Sequence, residues 1–249
     1  MYGRERAEEL RERYPHAAEI FGLYLALVEV WESAAVPEKG ALEWAAAHVL
    51  PRVLTATATA GPRPLADAIT GAKVHDGLLA AWLAEEELTP IERYVARATM
   101  RVVPVKKGQG EEKTGKCPHC GGPPQVSFRT ASEDPLVSGR RMLACARCPD
   151  EWNFSATTCP NCGENGKRTV HAEARLKSPQ VGRVTPSGDA VFPHLRAESC
   201  QTCHRYLIDV DLGQDPRAVP RVDELAAVPI DLHLADQGYT KITPNLMGF

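Results

Sequence analysis

The chain has no unpaired cysteine, no long apolar run and no strong excess of either charge. Its longest mainly apolar stretch, Ile20 to Trp31, is too short to span a bilayer and contains Glu29. The start, MYGRERAEE, lacks the apolar core of a secretory signal, so a cytoplasmic chain without membrane insertion is expected. Met1–Val105 carries 11 basic and 15 acidic residues, and the rest carries 18 and 17. Neither part has the strongly basic balance that favours nucleic acid. Catalytic signatures are missing too: there is no Gly-rich phosphate loop, no G-x-S-x-G and no H-E-x-x-H. His16, His48 and His75 have no histidine or carboxylate partner at ligand spacing, and Glu85–Glu87 reads as a solvated helix end. The expectation is a protein that is not an enzyme.

What is present is eight cysteines, all in Cys-x-x-Cys pairs: Cys117/Cys120, Cys145/Cys148, Cys159/Cys162 and Cys200/Cys203. Two intervening residues let both sulfurs of a tight turn point at one ion. Two such turns complete a tetrahedron, so four turns make two sites. A reducing cytoplasm favours metal over disulfides. The first and third pairs read CPHCG and CPNCG. Their Pro presets φ, and their Gly permits the left-handed turn around sulfur. The second and fourth pairs, CARCP and CQTCH, lack both features, and Pro149 stands where a knuckle often has Gly. This alternation suggests one module used twice, with sequential pairing of the turns; crossed pairing is the competing arrangement. Four thiolates suit iron or zinc without deciding between them, and they leave no open position for catalysis. The CQTCH run also matches haem c attachment, which the missing signal disfavours. A thioredoxin-like dithiol lacks its βαβ setting.

Up to Val103 the pattern is helical. Arg4–Arg13 forms a first charged helix, and Ile20, Leu23, Tyr24, Leu27 and Trp31 share one face of a second. Leu42, Ala45, Ala46 and Val49 line another, which Pro51 ends or kinks. Thr55–Pro64 reads as a loop. Leu65–Leu83 reads as helix, with a break at Gly71 and with Leu78, Leu79, Trp82 and Leu83 buried. Thr89-Pro90-Ile91-Glu92 carries N-cap, first-turn proline and capping-box signals. About five helices in a bundle are expected. Lys106–Lys116, charged and without apolar residues, reads as a linker. Gln125–Arg129, Arg141–Ala144, Trp152–Ala156, Thr169–Ala174 and Arg205–Val210 fit strands of small ribbons that depend on their ions. Leu176–Ala190 reads as a loop insertion, and Val222–Tyr239 as a helix interrupted by Pro229. The expected division is a helical domain at 1–105, a linker at 106–116, a first metal module at 117–158, and a second at 159–249 that includes the C-terminal segment.

With these motifs in order, the chain resembles the formate dehydrogenase accessory protein FdhE family. The resemblance is carried by CPHCGGPP at Cys117–Pro124, GRRMLACARC at Gly139–Cys148 leading to Glu151-Trp152, and CPNCG at Cys159–Gly163. It continues through RAESCQTCHRY at Arg196–Tyr206, then Gly238-Tyr239 and Pro244-Asn245. It implies an α+β fold: an N-terminal all-α helical domain followed by two tandem rubredoxin-like, zinc-ribbon-like modules, with iron a candidate beside zinc. It also implies a non-catalytic cytoplasmic protein that assists formate dehydrogenase maturation by binding the catalytic subunit. Trp152, Arg196 and Glu198 are candidate interface or module-support residues. Ribbon packing for Trp152, and a cross-strand ion pair for Arg196 and Glu198, are the plain alternatives. Two other functions compete. One is a zinc-ribbon nucleic-acid binder using Arg140, Arg141, Arg147, Lys167 and Arg168; the other is a rubredoxin-like electron-transfer protein. Whether the chain forms a homo-oligomer is left open by its sequence.

Overall fold

The structure, a computed structural model, describes residues 2–71, 77–84, 86–105, 115–131, 139–172, 191–246 and 248. The linker apart from Gly115 and Lys116, the Leu176–Ala190 insertion, His75 and Glu85 lie outside the described residues. The chain divides into two compact units, residues 1–107 with 245–249, and residues 108–244.

Every regular element described in 2–105 is helical: α1 (Arg4–Arg13), α2 (Ala18–Glu32), α3 (Ala41–His48), α4 (Leu50–Ala60), α5 (Arg63–Gly71), α6 (Leu78–Leu83) and α7 (Pro90–Met100). Helix α2 buries Phe21, Leu23, Tyr24, Leu27, Val28 and Trp31, more than one amphipathic stripe, as a central helix must. Trp31 Nε1 donates to the Ala98 carbonyl at 2.8 Å, satisfying the indole inside the core. At α7 the capping box forms: Glu92 N–H donates to Thr89 Oγ1, and Thr89 N–H donates to Glu92 Oε2.

The expected loop at Thr55–Pro64 is mostly helix. Thr55, Thr57 and Thr59 donate their hydroxyls to carbonyls four residues back, and the fully buried Thr57 Oγ1 lies 2.6 Å from Tyr94 Oη. Tertiary contact overrides weak local propensity here, leaving Gly61 and Pro62 as the break. Pro51 sits in the first turn of α4, where no N–H is needed, so it begins a helix. Leu83, expected inside, is 45% exposed.

The second unit contains one mixed sheet. Its strands are β1 (Pro124–Arg129), β2 (Arg141–Cys145), β3 (Glu151–Asn153), β4 (Arg168–His171), β5 (Leu195–Cys200), β6 (Arg205–Asp211) and β7 (Thr240–Lys241). Their order is β3-β2-β1-β6-β5-β4, with β7 also pairing β6. Two antiparallel groups, β1–β3 and β4–β6, join through a parallel β1·β6 ladder with Ser127 opposite Asp209 and Phe128 opposite Val210. The cysteine modules therefore share a sheet, where the sequence suggested separate ribbons. Val126, Leu143, Leu195, Ala197, Leu207 and Ile208 are buried in it, with Val222, Leu225, Ile230 and Leu234 from the following helical segment. That segment is α8 (Pro220–Asp223), a 3₁₀ turn at Glu224–Ala227, and α9 (Val228–Asp236), which has Pro229 in its first turn. A buried polar cluster ties it to the sheet. Tyr206 Oη donates to Asp231 at 2.8 Å, Lys241 Nζ lies 3.2 Å from Asp231, and Gln125 donates to Glu224 at 2.6 Å.

Candidate metal centres

Each cysteine pair sits in a tight turn beside a strand. Gly121 N–H donates to the Cys117 carbonyl, Gly163 N–H to Cys159, and His204 N–H to Cys200. Gly121 and Gly163 take φ of 71° and 78°, as their sequence context suggests. The fourth turn adopts the same left-handed conformation without glycine, at His204 with φ 53°. The second turn cannot close in this way, because Pro149 has neither the N–H nor access to positive φ. A distant side chain braces it: Arg221 of α8 donates to the carbonyls of Cys145, Cys148 and Asp150 at 3.4, 3.4 and 3.2 Å.

These turns bring the sulfurs together in the sequential arrangement. Cys117, Cys120, Cys145 and Cys148 form one cluster, and Cys159, Cys162, Cys200 and Cys203 form another. In the first, Cys117–Cys148 and Cys120–Cys145 sulfurs are 3.6 and 3.4 Å apart. In the second, Cys159–Cys203 and Cys162–Cys200 sulfurs are 3.8 and 3.7 Å apart. A disulfide would need about 2.0 Å. A tetrahedral ion with sulfur bonds of about 2.3 Å needs sulfurs roughly 3.8 Å apart, so both clusters are the right size for one ion. Gly122 and Arg147 N–H groups point at Cys120 and Cys145 sulfurs at 3.4 and 3.3 Å.

The donor chemistry also fits a cation. Burial pushes the bare thiols of Cys117, Cys148 and Cys159 up, the last to about 12. At Cys200 burial also pushes upward, but it is outweighed by N–H groups of Cys203 and Thr202 and by the Cys162 and Cys159 side chains, which together bring the thiol to about 7. Ionising all four sulfurs of such a group calls for a positive charge among them, which an ion supplies as it displaces the thiol protons.

Behind the clusters lies a buried ionic network that the sequence reading saw only in fragments. The Glu198 side chain, 2% exposed, meets Arg129 at 2.5 Å, Arg141 at 2.9 Å and also Arg168. Asp209, fully buried, meets Arg129 at 3.1 Å, Arg196 at 2.7 Å and the Ser127 hydroxyl at 2.7 Å. Arg141 also donates to the carbonyls of Ser155 and Thr158, in the segment between the second and third turns. The network thus joins strands of both cysteine modules. Two of the five cations expected in a nucleic-acid patch, Arg141 and Arg168, turn onto Glu198. Trp152 lies half-buried on the outer strand β3, opposite Leu143. Two histidines of this unit meet other partners: His194 Nε2 lies 2.8 Å from Asp223, in a group with Asp215, and His171 Nε2 lies 2.8 Å from Ser199 Oγ. Arg221 gave no sequence signal, since it lies 73 positions from Cys148. Gly115, with φ 78°, was hidden too: a Cβ there would fall 1.8 Å from the Pro160 carbonyl oxygen.

No helix among the described residues is long and apolar enough to cross a membrane. Residues 183–247 match the family model described as FdhE, C-terminal domain. An FdhE homologue of Aquifex aeolicus is 31% identical over 135 residues, which is 53% of this chain and 41% of the relative. One from Pseudomonas aeruginosa is 34% identical over 132 residues, 53% of this chain and 38% of the relative. The matched segment thus spans about two fifths of these relatives. The crystal structure of the FdhE protein from Pseudomonas aeruginosa superposes with a TM-score of 0.62 at 22% identity, covering 99% of this chain and 94% of that one.

Proposed function

We propose that this chain is a protein of the FdhE family, a non-catalytic cytoplasmic accessory protein for formate dehydrogenase maturation that binds the enzyme's catalytic subunit. The observation that carries this reading is the pair of closed four-sulfur clusters on one sheet, the second of which takes Cys200 and Cys203 from the stretch similar to the FdhE C-terminal domain. In this reading Cys117, Cys120, Cys145 and Cys148 hold one iron or zinc ion, and Cys159, Cys162, Cys200 and Cys203 hold the other. Four thiolates saturate each ion, so the ion shapes backbone and offers no vacant position to a substrate.

The proposed organisation is an all-α domain at 1–105, a linker at 106–116, and two rubredoxin-like modules at 117–158 and 159–249. Trp152, a half-buried aromatic on an outer strand, suits a contact surface. Arg196 and Glu198 support the modules through their ion pairs. The test is affinity capture of the full chain from cells that make a formate dehydrogenase, followed by mass spectrometry. The catalytic subunit is expected among the captured proteins. Recovery of general chaperones alone would contradict the proposal.

A further inference from the structure

The two sulfur clusters are not equally enclosed. In the first, Cys117, Cys145 and Cys148 are 1%, 1% and 2% exposed, and Cys120 is half-buried. In the second, Cys159 and Cys200 are each 2% exposed, Cys203 is half-buried, and Cys162 lies on the surface. Their braces differ as well. The first is locked by Arg221, whose guanidinium holds three carbonyls of the Cys145–Asp150 turn. The aliphatic stem of Arg147 also lies close against Gly122, beside Cys145 Sγ. In the second, Thr202 Oγ1 donates across the two turns to Glu164 at 2.9 Å, and this bond is exposed.

We propose that the second cluster is an exchange site, at which an incoming thiol ligand replaces Cys162 and can take or deliver the ion, while the first cluster exchanges its ion far more slowly. The proposal rests on the reading that both clusters bind metal. A ligand can displace a cysteine only where it has a path to the ion and where the departing sulfur finds solvent. A buried sulfur that leaves its ion stays among groups that do not hydrate it, at a desolvation cost. Cys162 meets water as it leaves. In the first exchange step the incoming thiol would form a metal–sulfur bond as the bond to Cys162 breaks, the proton of the thiol passing to Cys162 Sγ, and the same exchange at Cys159, Cys200 and Cys203 would free the ion. No electron is transferred, so no oxidant or reductant is needed. Soft thiolate donors are the chemical class that competes for such a site.

The test uses the full chain loaded with zinc, glutathione as the thiol, and a chromophoric pyridylazo chelator that reports released zinc. Two phases of equal amplitude are expected, about tenfold or more apart in rate. Cys162→Ser, a change at an exposed position, leaves three sulfurs at the second cluster with a position already open, and should either speed the fast phase or leave that cluster unloaded, while the slow phase is kept. Arg221→Ala should speed the slow phase alone. Alkylation of the unaltered chain during release, mapped by mass spectrometry, should mark Cys159, Cys162, Cys200 and Cys203 before the other four. Release of both ions in one phase, or a fast phase whose rate Cys162→Ser leaves unchanged, or earlier labelling of the first cluster, would overturn the exchange proposal alone. A chain that takes up no zinc would overturn it together with the metal reading.

Discussion

Glu198 spends one carboxylate on three guanidiniums, and with Asp209 it neutralises much of the positive charge that the strands carry inward. Such an arrangement gives modest net stability when complete and is costly when broken, because arginines stay buried without their counter-charge. Glu198→Gln preserves shape and removes the charge. It is expected to cost about 3–5 kcal/mol of unfolding free energy, the usual penalty for stranding buried ions. Denaturant titration of the metal-loaded chain would measure it, and an unchanged midpoint would refute this role. At this scale the sequence was uneven. The cysteines announced themselves by spacing, and the alternation of CPxCG with plainer turns suggested sequential partners while leaving crossed pairing open, which the clusters decide. Glu198 and Arg196 were legible as a possible ion-pairing set, but their partners Arg129, Asp209 and Arg141 come from strands whose register no local pattern reveals. Arg221 was invisible for the same reason, although Pro149 marked the turn it serves.

The elements explain why the modules do not stand alone. Three of the five strands anticipated from apolar alternation lie within a residue of where expected; β3 starts one residue earlier, at Glu151, and ends at Asn153, and β4 runs Arg168–His171 where Thr169–Ala174 was expected, residues 173 and 174 lying outside the described residues. Strand β5, between β4 and β6, escaped because Leu195–Cys200 reads LRAESC, a polar run whose Glu198 and Ser199 are nonetheless buried. Polar groups fill an interior position only when partners satisfy them, and those partners are supplied by other strands. The parallel β1·β6 ladder was equally unforeseeable, since its strands lie far apart in sequence. The consequence is a testable departure from ion-dependent ribbons. Stripping the metal with a chelator under reducing conditions should loosen the four turns yet leave the strand signal in circular dichroism, because Leu143, Leu195, Leu207 and Ile208 remain buried against one another's strands. Complete loss of strand signal on chelation would mean that the ions, and not the shared sheet, hold this unit together.

At the scale of the whole molecule, the sequence conveyed the contrast between a helical first part and a strand-rich, cysteine-bearing second part. It misjudged Thr55–Pro64, where hydroxyls bonded to the preceding turn and a buried Thr57–Tyr94 contact keep the chain helical. The account depends above all on each group of four sulfurs holding one ion with its thiols unoxidised. Native mass spectrometry of the intact chain, purified reduced and without chelator, measures this directly. It should give the chain mass plus two iron or zinc ions, and all eight cysteines should be alkylated once the ions are removed and the chain is denatured without added reductant. A chain of metal-free mass, or one whose sulfurs resist alkylation because they are joined in disulfides, would contradict the account.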